Sequence, residues 1–413
     1  MEAKERANND TDLIEQQVWS WGAGTEGQLG TGKLQDEHIP QLLPVLPSLS
    51  FLSCGGAHVI ALTPGKTVLT WGRGTSGQLG HGNLINCLQP KPVDLLNNDN
   101  ITHVSAGWNY SGFVSESGHL YTCGDGSFGQ LGLGDYRSQS CPIKVSCFAF
   151  RHVEQIACGM RHSLALLKGE VGDQVYGFGS GKRGQLGTSN EKIKSISLPQ
   201  NVCGLEEVNV SSISANGDHS AALSADGQLY TWGRGFGGTP DMCCPNRVIS
   251  PFSFTQATLG WNHALMLTDE GEVHMLGGSH HGVLNNPQKE NLAKEDSNET
   301  HLQKVDGLNG IKVAGIASGA EHSVLTTGKL DREGTWDLTT NLAVIYTIIC
   351  CAENGVVMTW GWGEHGQLGL GTTSDHTTPQ LVSLGENEHT SSKVYCGSGF
   401  TFVVRTHTAV ETA

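Results

Sequence analysis

Basic residues are scarce in this chain. Lys and Arg together number 25 against 40 Asp and Glu, a formal net charge of −15 over 413 residues. A surface this acidic excludes a broad footprint on nucleic acid phosphates or anionic lipid, and it suits a basic protein partner. The N-terminal tail has no long basic run that would favour nuclear import or contact with DNA. Long apolar runs are missing as well. The longest, Leu342 to Ala352, falls far short of the ~20 residues that a membrane-crossing helix needs, and no signal peptide is visible. The expectation is a cytoplasmic or nuclear protein that meets another protein, with no membrane and no direct nucleic acid contact.

Glycine, by contrast, is abundant: the chain has 56, more than an average usage of about 7% would give. They sit in a phrase that keeps returning. It reads Trp360-Gly361-Trp362-Gly363-Glu364-His365-Gly366-Gln367-Leu368-Gly369 late in the chain, and it occurs from Trp21, Trp71, Cys123 and Phe178 before that. Worn copies start at Trp232 and Leu276, which makes seven in all. A second phrase follows each first one, as in Cys54-Gly55-Gly56-Ala57-His58 and Cys158-Gly159-Met160-Arg161-His162. It runs into a short apolar stretch, a turn such as Asp226-Gly227, and an alternating strand such as Gln228 to Trp232. Asp-Gly between two such runs is a strong hairpin signal. A period of about 50 residues built from short antiparallel strands predicts an all-β fold, a seven-bladed β-propeller whose blades protect one another's edges.

Both phrases, in this order and at this spacing, resemble the repeat of the regulator of chromosome condensation family, whose members are seven-bladed propellers. The resemblance covers about Leu13 to Arg405. The organisation that follows is a disordered tail over 1–12, a propeller over 13–405 and a tail over 406–413. Within the propeller, 285–306 is rich in Asn, Lys, Glu and Asp and reads as an exposed loop. The last second phrase, Cys396 to Val404, lacks the strand that follows elsewhere, and Gln17 to Trp21 supplies the pattern. N- and C-terminal strands are therefore expected to close the ring inside one blade, Gln17–Trp21 pairing antiparallel with about Phe400–Val404.

Residues 328–352 fit no part of the repeat. The step from the histidine slot to the next first phrase is 13 residues from His58 to Trp71 and from His219 to Trp232, but 38 from His322 to Trp360. Excising 328–352 restores the regular hairpin, so the segment reads as an insertion, compatible with an alternative exon or a translated intron. Its apolar run Leu342–Cys351 would be an aggregation liability.

The sequence offers no catalytic constellation and no cofactor or metal site. Gly-x-Gly-x-x-Gly at Gly22, Gly24 and Gly27 is a nucleotide fingerprint only where a strand feeds a helix. Here it recurs in five blades, so the glycines read as corner residues at positive φ. The glutamine of each phrase reads as bonding a corner backbone, and the leucine as packing between blades. Histidines 58, 162, 219, 263 and 322 fall once per blade, and Tyr110 and Phe400 fill the same slot. A ligand role would not tolerate that exchange, so a buried imidazole bonding a backbone carbonyl within its blade is expected. Among the 12 cysteines, Cys54, Cys158 and Cys396 share a slot with Ala106, Ala215 and Ser318, which reads as small, buried, reduced thiols and not as a disulfide framework.

The pair before each histidine slot varies while its surroundings repeat. It supplies the candidate partner-binding residues Trp108, Asn109, Met160, Arg161, Asp218, Trp261, Asn262 and Glu321, because Trp and Arg are typical interface anchors. The competing reading has Trp108 and Trp261 only covering the channel mouth. The pattern supports a non-enzymatic protein-binding platform. The resemblance adds guanine-nucleotide exchange on a small GTPase, as in the founding member. It also adds ultraviolet-B perception, which is disfavoured here: Gly107-Trp108-Asn109-Tyr110 and Gly260-Trp261-Asn262-His263 lack the arginine of that signature and lie three blades apart. No coupled tryptophan pyramid is expected.

Overall fold

Six of the seven second phrases open a strand in which every residue is buried, among them His58–Leu62, Tyr110–Ser115, His162–Leu167 and His263–Thr268. Successive side chains of a strand point to opposite faces, so a strand buried throughout must be covered on both. In His58–Leu62, Val59 and Ala61 pack with Val18, Leu29 and Phe402, whereas Ile60 and Leu62 pack with Ile101, Val104 and Phe113. The cores therefore lie between sheets, and each sheet contributes to two of them.

The structure is a computed structural model that describes residues 16–44, 46–169, 172–189, 193–278, 302–308, 310–328, 355–385 and 390–407. These form seven four-stranded antiparallel sheets, the blades of a propeller. Blade 1 comprises Phe51–Cys54, His58–Leu62, Val68–Gly72 and Cys87–Pro92. Blade 2 runs from Ile101–Ala106 to Gln139–Lys144, and blade 3 from Val153–Cys158 to Ser195–Asn201. Blade 4 runs from Val210–Asn216 to Met242–Arg247, blade 5 from Phe254–Leu259 to Gln303–Lys304, and blade 6 from Val313–Ser318 to His376–Leu381. Blade 7 joins the ends of the chain in the order Glu37–Leu42, Gln16–Gly22, Phe400–His407, Thr390–Cys396.

The closure has the expected register. Gln17 lies opposite Arg405, Val18 opposite Val404, Trp19 opposite Val403 and Trp21 opposite Thr401. Gln303 and Lys304, at the end of the stretch read as loop, form the short outer strand of blade 5, and Val305 is buried. Residues 285–301 lie outside the described residues, as do both tails apart from Thr406 and His407 and most of the insertion. What is described on either side of the insertion keeps the standard hairpin: His322 faces Gly361 and Thr326 faces Val357, as His58 faces Gly72 and Leu62 faces Val68. Thr327 N–H donates to the Val356 carbonyl at 3.0 Å, the bond that Thr63 makes to Thr67 at 3.0 Å in blade 1.

The glycine phrase works as a corner for two reasons, of which the sequence suggested one. Gly22 and Gly27 hold φ of +100° and +81°, a region costly for residues with a Cβ. Gly24 is needed for space instead, since a Cβ there would lie 1.9 Å from the Gln35 carbonyl oxygen. The glutamine that follows accepts a corner N–H as expected, Gln28 Oε1 from Glu26 at 2.9 Å and Gln78 Oε1 from Ser76 at 2.9 Å.

The histidines depart from expectation. Their bonds run between blades to hydroxyls, not within a blade to a carbonyl. His58 Nε2 meets Ser111 Oγ at 2.9 Å, His162 meets Ser220 at 2.9 Å, His263 meets Ser323 at 3.1 Å and His322 meets Thr401 Oγ1 at 3.0 Å. Ser111 in turn donates to the Gln78 carbonyl at 2.7 Å, and Ser220 to that of Gln185 at 2.7 Å. The same glutamine carbonyls can also receive the tryptophan of the next blade, as when Trp232 Nε1 donates to Gln185 O at 3.0 Å and Trp21 Nε1, at 2.9 Å, to Gln367 O, which also accepts from Thr401. Blade 4 is the exception. Its worn corner places Phe236 flat on the His219 ring, 4.2 Å between centroids, and His219 bonds the Arg234 and Trp261 carbonyls at 2.7 and 2.8 Å.

Candidate protein-binding face

All the candidate residues lie on one face of the ring, in the loops between the first and second strands of the blades. The loops are tied to one another by main chain. Gly56 N–H donates to Gly107 O at 3.1 Å, Trp108 to Gly159 at 3.1 Å, Met160 to Gly217 at 3.3 Å, Trp261 to Ala320 at 2.8 Å, Ala320 to Ser398 at 3.1 Å and Ser398 to Gly55 at 3.1 Å. The junction of blades 4 and 5 is made by a side chain, with Asn216 Nδ2 donating to Leu259 O at 2.7 Å.

At the hub of this belt the indoles of Trp108 and Trp261 meet, 5.2 Å between centroids and 49° between planes. Both side chains remain half-buried. A Cβ on Gly56 would lie 2.8 Å from the Trp108 ring, so that glycine makes room for the indole. The three-blade offset from blade 2 to blade 5 does not keep the tryptophans apart, because blades far apart along the ring converge at its centre.

Beneath the pair lies a cavity of about 260 Å³ walled by the first strands of the blades, with Ser53, Ser105, Cys158, Ser214 and Thr258 among its lining. Among the described residues no Asp, Glu, Lys or Arg lines it. His103, also at the wall, is driven down to about 4 by burial, and the Cys158 thiol is pushed up to about 12 by the same cause. Burial, and then the neighbouring Cys396, raise the Cys54 thiol well above its ordinary value. These are neutral, unreactive thiols, and all ten cysteines among the described residues are free. Among the described residues no cluster of three or more His, Cys, Asp or Glu is arranged to hold a metal, and no helix is long and apolar enough to cross a membrane.

A second ring of variable residues accompanies the first, and the sequence reading missed it. The carbonyl of the residue before each histidine slot accepts the N–H of the residue that follows the first glycine of the corner phrase. Ala57 thus receives Arg73 at 2.8 Å, Asn109 receives Asp125 at 2.9 Å, Asp218 receives Arg234 at 2.9 Å and Glu321 receives Trp362 at 2.8 Å. This position varies from blade to blade as much as the pair does, and that variation was the available signal. Side chains tie the face together: Arg73 of the second ring donates to Asn109 of the first, the corner residue Gln185 to Asp218 at 2.9 Å, and Asn262 to Glu321 of the next blade at 2.9 Å. Arg161 lies over the Phe128 ring, 5.0 Å from its centroid. The face is preorganised, which lowers the ordering cost of binding.

Comparison with known proteins places this architecture. The model of the RCC1-like domain matches residues 17–336, and that of the RCC1 repeat matches residues 354–404. Residues 337–353, all but the last of them inside the insertion, fall between the two matches. The chain is 30% identical over 278 residues to the ultraviolet-B receptor UVR8 of Arabidopsis thaliana, covering 65% of this chain and 62% of the receptor. It is 28% identical to the secretion-regulating guanine nucleotide exchange factor of Mus musculus, covering 97% of this chain and 86% of that protein. The crystal structure of Prp20p from Saccharomyces cerevisiae superposes with a TM-score of 0.75 at 23% identity, over 97% of this chain and 93% of that one.

Proposed function

This chain belongs to the RCC1-like domain family, and on that premise we propose that it is a cytoplasmic or nuclear protein-binding propeller that regulates a small GTPase by guanine-nucleotide exchange. The observation that carries the reading is the tryptophan face. Every blade repeats the same scaffold, yet the residues presented on this face differ from blade to blade and surround a half-buried aromatic pair. Repetition serves the ring, whereas variation serves recognition. A relative whose match covers 97% of this chain and 86% of its own length is itself a nucleotide exchange factor. Exchange asks for no cofactor and no reacting side chain. It needs only a surface that binds the nucleotide-free GTPase more tightly than the loaded one, because that difference shifts the equilibrium towards release.

The test is nucleotide release from a panel of small GTPases loaded with a fluorescent guanine nucleotide. One member should release faster with the protein present, and Trp108→Ala together with Trp261→Ala should abolish the acceleration. If no GTPase responds while a captured partner still depends on both tryptophans, the protein is a binding platform only.

The contact between Trp108 and Trp261 favours weighing a second reading, ultraviolet-B perception, since indoles 5.2 Å apart share their excitation. Asn109 and Asn262 stand where that signature has its arginines, and Asn109 accepts from Arg73. A homodimer that separates under ultraviolet-B illumination would support it.

A further inference from the structure

On the tryptophan face the carboxylates are held by neutral donors, while several cations face no acid. Glu26 accepts from Asn86 at 2.8 Å, Asp125 from Ser127 N–H at 3.0 Å and Gln130 at 3.2 Å, Asp218 from Gln185 at 2.9 Å, and Glu321 from Asn262 at 2.9 Å. Arg161, Lys182 and Arg234 are exposed and have no carboxylate partner among the described residues. Arg183 beside them pairs with Asp241 at 3.1 Å. The three unpaired cations belong to one sector, blades 3 and 4. Ser180 N–H bonds Arg161 O at 2.8 Å and Arg234 N–H bonds Asp218 O at 2.9 Å. Gln185 ties the corner that carries Lys182 to Asp218 at 2.9 Å.

The sector borders the aromatic hub directly. Met160 N–H bonds Gly217 O at 3.3 Å, and a Cβ on Gly217 would touch Trp261 Cδ1 at 3.6 Å. Across the hub, the corners of blades 6 and 7 carry Glu364, Glu26 and Asp36 instead, with Asp36 bonded to His365 Nδ1 at 3.0 Å. Exposed cations without an acid thus concentrate in blades 3 and 4, where Asp218 and Asp241 are already bonded, and the acids Glu364, Glu26 and Asp36 in blades 6 and 7, although the chain as a whole carries −15.

We propose that blades 3 and 4 of this face receive an acidic segment of the protein partner, its carboxylates against Arg161, Lys182 and Arg234 and an apolar side chain against Trp108 and Trp261. The proposal rests on the tryptophan face being the binding face, and it reverses locally the preference for a basic partner that composition suggests. Arginine forks match carboxylates and part with water more readily than an ammonium does. Side chains already clear of internal ion pairs give up water but no internal partner when a carboxylate arrives. A short segment fits better than a nucleic acid, since the net charge of the whole chain repels an extended polyanion.

The test is selection of random twelve-residue peptides on the full-length protein, followed by fluorescence anisotropy of the enriched sequences. The expected peptides are acidic and carry an aromatic or aliphatic residue. The pair Arg161→Glu and Arg234→Glu should weaken them about tenfold or more, the scale of like-charge juxtaposition at an interface. A fresh selection on that variant should shift to basic peptides. Both arginines are exposed, so unchanged melting will show that the variant is folded. Neutral or basic winners on the parent protein, or no enrichment at all, overturn the proposal. So do winners that depend on Trp108 and Trp261 but ignore the charge reversal, and in that case the binding face itself stands. Winners indifferent to the tryptophans as well would defeat the binding-face reading. A single-stranded oligonucleotide competing as tightly as the best peptide would assign the arc to phosphates instead.

Discussion

A buried histidine has to choose a tautomer, and here the neighbours choose it. Ser111 has one hydroxyl proton, which goes to the Gln78 carbonyl, so the Oγ can only accept from His58 Nε2–H. The same holds for His162 with Ser220 and for His322 with Thr401, whose hydroxyl donates to Gln367 O at 3.0 Å. The opposite nitrogen of each ring is left as a bare lone pair, and protonating it would bury a charge. Burial accordingly drives His58, His162 and His263 down to about 3 and His322 down to about 4. A value depressed in the folded protein means that unfolding takes up protons in the interval below about 6.5. This contribution to stability is therefore complete above about 6.5 and is lost as pH falls from there towards 3. At pH 5 the loss should be roughly 2 kcal/mol per histidine. Melting followed from pH 7.5 to 5 should show a steep decline, and His322→Phe, whose ring type Phe400 already places in this slot, should flatten it by one histidine's share. A slope unchanged by that substitution would mean that His322 protonates in the folded ring.

The tryptophans differ from the histidines in what they risk. Trp108→Ala and Trp261→Ala should each cost about 2 kcal/mol of partner affinity, on the scale of interface hot spots, with the melting temperature nearly unchanged because both side chains are half-exposed. Loss of folding in both would show that the pair holds the hub together.

At the level of the hairpin, blade 6 shows how little a blade cares about what its turn contains. Strands His322–Thr327 and Val357–Gly361 pair in the register of every other blade although the link between them is far longer. Extending a surface turn costs closure entropy that grows only logarithmically with length. Removing residues 328–352 should therefore leave the blade intact, with an equal or higher melting temperature and greater solubility. Unfolding on removal would show that the segment belongs to the fold. The hairpin itself could be read from residue spacing, because a period-2 pattern resumes at Val356. The corner phrase could be read only in part. Positive φ at Gly22 follows from turn chemistry, but the crowding of Gly24 against Gln35 depends on the bend just before strand Glu37–Leu42 folding back from eleven residues away, which local sequence does not display. The variable ring at Arg73, Asp125 and Trp362 went unread for the same reason, since its partnership with the histidine-slot loop exists only once the sheet has formed.

For the whole molecule, closure is the decisive event. The strand Gln16–Gly22 lies between Glu37–Leu42 and Phe400–His407, and Trp21 is fully buried against blades 6 and 7, with its indole donating to Gln367 O at 2.9 Å. Deleting residues 1–21 should lower the melting temperature by on the order of 10 °C, given what loss of one buried tryptophan costs in a domain of this size. Deleting residues 1–10 should do little, and equal effects would count against the clasp. Ring size and closure were legible because seven copies leave one blade a strand short. The meeting of Trp108 with Trp261 was not, since blade counting measures distance around the rim and says nothing of distance across the hub.

The same clasp sets how the molecule answers to pulling. Gln16 stands opposite Thr406, so the two chain ends leave the paired strands at the same end. A load applied between them does not shear seven residues at once. It peels the strands apart from that end, one pair of backbone bonds at a time, starting at Gln16–Thr406 and reaching Gly22–Phe400 last. A ring that resists heat through its interlocked blades would thus open under modest tension at its seam. A tether fused to both ends should unfold it at far lower force than handles placed on two neighbouring intact blades.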